Sequence, residues 1–207
     1  GHARTVGRAV ARLHQPSGPV LTKRRAEDDC IEFFTLDMCP FAQRVWIVLE
    51  ELELPYERVE VNLRDEEQRA AFEQHINPRG KVPALRDENV TLFESLIICE
   101  YLAAKCGADA LLPRDDAALA AQIRLWNEHL DTQLAPAHFT LLMNQDEATA
   151  AAKAAALDVA LDHYEARLVG PYLCGADFSL ADAAALPFFE RLTFSLRHFR
   201  QLEPLAR

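Results

Sequence analysis

Strand-length and helix-length signals alternate from Ile31 to Cys106, and beyond Asp116 the strand signal stops. Ile31-Glu32-Phe33-Phe34-Thr35 is a short apolar run of strand length. Val45, Val48, Leu49 and Leu52 follow at i, i+3, i+4 and i+7, which predicts a helix over 41–52 with one buried face. Pro40 suits its first position, where no N–H is needed. Residues 56–61 alternate and read as a strand. Residues 65–75 read as a polar helix, opened by acids and stopped before Asn77-Pro78. Two short strands, 82–85 and 90–93, flank a hairpin-like turn, Arg86-Asp87-Glu88-Asn89. A helix over 94–105 closes the series, with Gly107 as its C-cap. The order β-α-β-α-β-β-α makes an α/β domain with a mixed sheet.

Residues 116–200 are rich in Ala and Leu and read as helices only. A long helix over 116–143 is expected to bend at Pro136, a second covers 148–168, and Ser179-Leu180-Ala181-Asp182 is a capping-box-like start for a third. The expected organisation is a basic, flexible leader over 1–29, an α/β domain over 30–107, a linker over 108–115 and an all-helical domain over 116–207.

Charge narrows the partners. The chain carries −10 overall, which argues against nucleic acid. The first 25 residues hold six cations and no acid, so the remainder is more acidic than the total implies. Arg4, Arg8 and Arg12 recur every four residues with Val6, Val10 and Leu13 roughly opposite. Two readings stand: a basic amphipathic organelle-targeting segment, or an unstructured leader opened by a tag-like Gly-His. No apolar run reaches the ~18 residues of a membrane span. Cys30, Cys39, Cys99, Cys106 and Cys174 are odd in number, scattered, and form neither C-x-x-C nor zinc-finger spacing. A reducing, cytoplasmic compartment and no metal are expected.

Cys39-Pro40-Phe41-Ala42 carries the chemistry. The cysteine stands where a strand turns into a helix, facing the positive end of the helix dipole and free backbone N–H groups. Helix-terminus thiols reach pKa values of about 3.5–7.5 against a reference of about 8.5. A shift of ~3 units needs ~4 kcal/mol, whereas the dipole supplies ~0.3–1 kcal/mol, or ~2 in a sheltered geometry. Direct hydrogen bonds to sulfur, from the N–H groups of Phe41 and Ala42, are expected to supply the rest; Pro40 has none to give. Low thiol pKa also makes a good leaving group, which favours thiol–disulfide exchange. Ala42 stands where a second cysteine would complete C-x-x-C, so the chemistry is expected to be monothiol.

In order and spacing, this turn, then Asn77-Pro78-Arg79-Gly80-Lys81-Val82-Pro83-Ala84-Leu85, then Phe93-Glu94-Ser95 before a helix, and finally the Ser179–Asp182 start in a helical half, resemble the cytosolic glutathione transferase superfamily. Within it the chain looks like the cysteine-type omega, lambda and dehydroascorbate reductase classes. The resemblance spans about residues 31–200. It implies a thioredoxin-like N-terminal domain followed by a helical C-terminal domain, with glutathione as cosubstrate. It implies Cys39 as catalytic cysteine, Phe41 flanking the thiol and Pro83 as a cis-proline beside it. Val82 would offer its backbone to the cysteinyl part of glutathione, Lys81 would meet the glycine carboxylate, and Glu94 and Ser95 would hold the γ-glutamyl end. The activity implied is thiol transfer: reduction of mixed disulfides, deglutathionylation, and dehydroascorbate reduction. The partners implied are glutathione and a small oxidised or disulfide substrate, with homodimers common. Conjugating members use a Tyr or Ser hydroxyl, and neither residue occurs between Ile31 and Pro55. Such chains usually run further past the position of Leu196, so the final helices are expected to be short or missing.

Structural readings stand beside these. Glu94-Ser95 equally suits a plain helix cap, and Lys81 a solvated charge. Cys99 and Cys106 fit packing or ordinary exposure. Trp126, His129 and His138 fit core or surface roles, with cleft lining as the alternative, and Asp182 reads as a cap. A binding module without catalysis and a chloride-channel-like protein with a similar Cys-Pro-Phe turn are the rival functions.

Overall fold

The computed structural model describes residues 30–204; the expected leader lies outside them. The chain divides into two compact units, the first ending at Gly107 and the second beginning at Ala108.

The first unit runs β1 (Ile31–Thr35), α1 (Pro40–Glu51), β2 (Tyr56–Glu60), α2 (Glu66–His75), β3 (Ala84–Asp87), β4 (Val90–Phe93), α3 (Ser95–Cys106). The strands form one sheet in the order β2-β1-β3-β4. β1 and β2 are parallel and the other pairs antiparallel. The seven elements follow the expected order of a thioredoxin-like domain. One face of the sheet presents Phe34 and Ala84 to Phe72 and Ile76 of the α2 region. Side-chain alternation turns Phe33 and Leu85 to the other face, where α1 and α3 pack on each other and α3 meets β3 and β4. Buried Asp87 fixes the hairpin to α3: it accepts from the Tyr101 hydroxyl at 2.8 Å and pairs with Lys105.

The hairpin differs from expectation at both ends. β3 begins at Ala84, because Pro83 has no N–H for the ladder. Its pairing with β4 continues to Asp87–Val90, leaving Glu88 and Asn89 as the turn. Glu88 takes the left-handed conformation that so tight a turn requires (φ 50°).

The second unit is helical: α4 (Ala117–His129), a five-residue π-helical turn (Leu130–Leu134), α5 (Ala135–Leu142), α6 (Glu147–Arg167) and α7 (Leu180–Arg200). The single helix expected over 116–143 is therefore two helices and a widened turn. Pro136 cannot donate to the preceding turn and its ring crowds the carbonyl four residues back. The widened turn, in which the Ala135 N–H reaches back to the Leu130 carbonyl, absorbs the mismatch. Trp126 and His138 are core residues, with His138 Nε2 2.9 Å from the Ser195 hydroxyl. Burial lowers the His138 pKa to about 4. His129 donates Nε2–H to the Ala160 carbonyl at 3.0 Å and stacks on His163 at 3.8 Å. None of the described helices is long and apolar enough to cross a membrane.

Candidate active site

Register gathers the chemistry at one end of the sheet. Phe34 lies opposite Ala84, and Ala84 opposite Phe93. The chain leaving β1, the chain entering β3 and the chain leaving β4 therefore share that end. Cys39 follows the first, Val82-Pro83 precedes the second, and Glu94-Ser95 follows the third.

Cys39 is the N-cap of α1 in extended conformation (φ −83°, ψ 112°), with Pro40 opening the helix. Its N–H donates to the Leu36 carbonyl at 3.0 Å, closing the turn out of β1. The thiol is half-buried and unbridged, against the cluster of Phe34, Phe72 and Val82. Its Sγ lies 3.8 Å from the Val82 carbonyl oxygen, toward which the S–H is directed. The side chain makes no capping hydrogen bond. The capping bonds expected from the Phe41 and Ala42 N–H groups are thus not made, and the sulfur meets the strand entry instead.

Val82 and Pro83 are buried, and the bond between them is cis. Buried Asn77 shapes the loop before them: its side-chain NH2 donates to the Lys81 carbonyl at 2.5 Å and its Oδ1 accepts from Arg79 N at 3.0 Å. Gly80 turns that loop at φ 59°, where a Cβ would also collide with the Glu73 carboxylate. The Lys81 side chain points to solvent.

Glu94 is the N-cap of α3 at φ 73°, ψ 113°, a conformation that costs a side-chain-bearing residue of the order of 1–3 kcal/mol. Its Oε1 lies 2.6 Å from Arg79 Nη1, and the same guanidinium sits 5.4 Å from the centre of the Phe93 ring. Ser95 is buried and its hydroxyl accepts from Arg44 Nη1 at 3.2 Å. Arg44 is fully buried on α1 and lies 5.0 Å from the centre of the half-buried Phe41 ring.

The structure thus joins Cys39 to Val82-Pro83 directly, and joins Phe41 to Ser95 through Arg44. Lys81 stands apart with its side chain exposed. Sequence reading missed Arg44 and Arg79. Arg44 was detectable, since it falls four residues before Val48 on the buried face of α1; Arg79 left no signal beyond being a loop cation.

The other thiols sit elsewhere. Cys99 is buried in α3 and burial pushes its pKa up to about 12, with the Arg44 charge partly opposing. Burial also raises that of Cys174. Cys106 is exposed and Cys30 half-buried. Among the described residues no cluster of three His, Cys, Asp or Glu side chains could hold a metal. A cavity of about 560 Å³ in the helical unit is lined by Trp126, His129, His163, Arg167 and Cys174 among others, and by none of the candidate glutathione-site residues.

Comparison with known proteins agrees with the fold. Residues 38–105 match the family described as glutathione S-transferase, N-terminal domain, and residues 147–207 match the corresponding C-terminal domain. Glutathione S-transferase 3 of Zea mays is 35% identical over 172 residues, covering 76% of this chain and 77% of that protein. Glutathione S-transferase omega-1 of Sus scrofa is 29% identical over 196 residues, covering 93% of this chain and 75% of that protein. The crystal structure of glutathione transferase Omega 3C from Trametes versicolor superposes with a TM-score of 0.78 at 30% identity, covering 98% of this chain and 80% of that one.

Proposed function

Because this chain belongs to the glutathione S-transferase family, whose members act with glutathione, we propose that it is an omega-like thiol transferase in which Cys39 carries the glutathionyl group. The observation that supports this reading most is the placement of Cys39: a half-buried free thiol at the mouth of α1, 3.8 Å from the Val82 carbonyl and beside Pro83. The Cys39 thiolate attacks the glutathionyl sulfur of a mixed disulfide. The new bond joins Cys39 Sγ to glutathione, and the substrate thiolate leaves and takes a proton. The thiolate of a second glutathione then attacks the same glutathionyl sulfur, releasing Cys39 and glutathione disulfide. Net, the mixed disulfide and one free glutathione become the substrate thiol and glutathione disulfide: the substrate sulfur is reduced as the incoming glutathione sulfur is oxidised, and the transferred glutathionyl sulfur keeps its oxidation state. Ala42 offers no internal thiol to intercept the intermediate.

The remaining residues orient glutathione. The Val82 backbone pairs with its cysteinyl unit as an added strand would. Glu94 takes the ammonium, and Ser95, at the start of α3, takes the γ-glutamyl carboxylate with neighbouring N–H groups. Lys81 meets the glycine carboxylate and Phe41 walls the thiol. The unit over 30–107 is in this reading the glutathione domain.

The test compares wild type with Cys39→Ser in glutathione-dependent reduction of a small glutathionyl mixed disulfide, with dehydroascorbate as a second substrate. Activity should fall by at least on the order of hundredfold, because the hydroxyl is a far weaker nucleophile and cannot form the disulfide. Equal turnover by both proteins would refute the proposal.

A further inference from the structure

We infer that Arg44 is a positioning residue for glutathione: from inside the core it sets the direction of the Ser95 hydroxyl and so the strength of the γ-glutamyl carboxylate subsite. This rests on the proposed role of Ser95 and extends it to a residue that makes no contact with the ligand itself.

Burial comes first. Arg44 is 0% exposed, and guanidinium groups are almost never fully buried without a specific partner. It sits on α1 five residues after Cys39 and donates from Nη1 to Ser95 Oγ at 3.2 Å, bridging the second turn of α1 to the first residue of α3. The direction of that bond is fixed, because a guanidinium has donors and no acceptor. A serine hydroxyl has one proton and two lone pairs. With one lone pair turned inward to Arg44, the proton is left to point elsewhere. Ser95 heads α3, whose N-terminus favours an anion. A carboxylate arriving there meets a hydroxyl already oriented to donate, polarised by the positive charge behind it.

The same guanidinium lies 5.0 Å from the centre of the Phe41 ring. Phe41 is two residues past the thiol, so the cation that aims Ser95 also braces the turn carrying Cys39. One buried side chain thereby ties the position of the carboxylate subsite to that of the sulfur. Lysine, with a single point charge on a flexible stem, cannot reproduce the planar fork that reaches both groups.

The experiment measures binding by calorimetry for wild type, Arg44→Lys, Ser95→Ala and the double variant. Two ligands are used: glutathione and its analogue lacking only the γ-glutamyl α-carboxylate. Thermal unfolding is followed in parallel. Ser95→Ala should weaken glutathione about tenfold, the scale of one charge-assisted hydrogen bond, and leave the analogue unchanged. Arg44→Lys should weaken glutathione by a similar factor, again sparing the analogue, and should add nothing further in the Ser95→Ala background. If Arg44→Lys weakens both ligands alike, or its effect adds to that of Ser95→Ala, the positioning role is overturned while the glutathione reading stands. If Ser95→Ala leaves glutathione binding intact, the assignment of Ser95 fails and the inference fails with it. Should Arg44→Lys not fold, the side-chain nitrogen signals of Arg44 in the wild-type protein decide: they should shift on adding glutathione and stay in place with the analogue. Equal shifts with both ligands would overturn the inference.

Discussion

Two helix starts in this molecule are built in opposite ways. At the start of α7, Asp182 accepts from Leu173 N at 2.8 Å, from Ser179 N at 3.0 Å and from the Ser179 hydroxyl at 2.8 Å. The loop, the cap and the first turn are closed on one carboxylate. At the start of α1, Cys39 makes no capping bond, Pro40 removes a donor, and the sulfur leans toward the Val82 carbonyl. The start of α3 resembles the second case: Glu94 makes no side-chain cap and holds a strained φ. A carboxylate that spends its acceptors on neighbouring chain fixes structure. Under the proposed function, the start of α7 serves the fold, whereas the uncapped start of α1 and the strained start of α3 serve glutathione.

Asp182→Ala is expected to have the largest effect on stability. Losing an acceptor of three hydrogen bonds should destabilise the fold by about 3 kcal/mol, read as a lower urea midpoint at unchanged slope. Turnover per folded molecule should be unchanged, because the Asp182 hydrogen-bond partners, Leu173 and Ser179, lie outside the proposed site.

A smaller effect is expected from the helical core. Burial holds the His138 pKa at about 4 against 6.5 for a free imidazole. As pH falls from about 6.5 to about 4, the unfolded chain takes up a proton that the folded chain refuses. The unfolded state then binds more protons, so stability falls with pH across that window and is restored above it. The loss should be roughly 1–3 kcal/mol. Denaturant titrations of wild type and His138→Phe across the window should show a shallower slope in the variant; equal slopes would remove His138 from the explanation.

The smallest expected stability change is the most discriminating, because its two readouts move in opposite directions. Glu94→Gly relieves the left-handed strain and should stabilise by about 1 kcal/mol, even after loss of the exposed ion pair with Arg79, which is worth ~0–1 kcal/mol. Glutathione binding should weaken. If stability falls while binding holds, Glu94 belongs with Asp182 as a structural cap.

Much of the fold was legible where the signal is local. β1 spans Ile31–Thr35 as read, and α1, α2 and β4 fall within a residue or so of expectation, because side-chain period, caps and proline act within a few residues. The early start assigned to β3 failed because apolar character alone hides the missing donor of Pro83. The π-helical turn was illegible because Pro136 signals only that a ladder bond is lost, while the surrounding packing decides how the chain absorbs it. Of the candidate site, Cys39 and Pro83 stood out through motif spacing. Arg44 was legible only as a charge on the buried face of α1 and Arg79 only as a loop cation; their partners Ser95 and Glu94 lie 51 and 15 residues away in sequence and are brought to them by the fold.

In the proposed reaction Cys39 alone carries the glutathionyl group. Intact-protein and peptide mass spectrometry after brief exposure to a small excess of glutathione disulfide tests it most directly. One glutathionyl adduct is expected, on Cys39, lost again on adding free glutathione. An adduct on exposed Cys106 with Cys39 unmodified would contradict it.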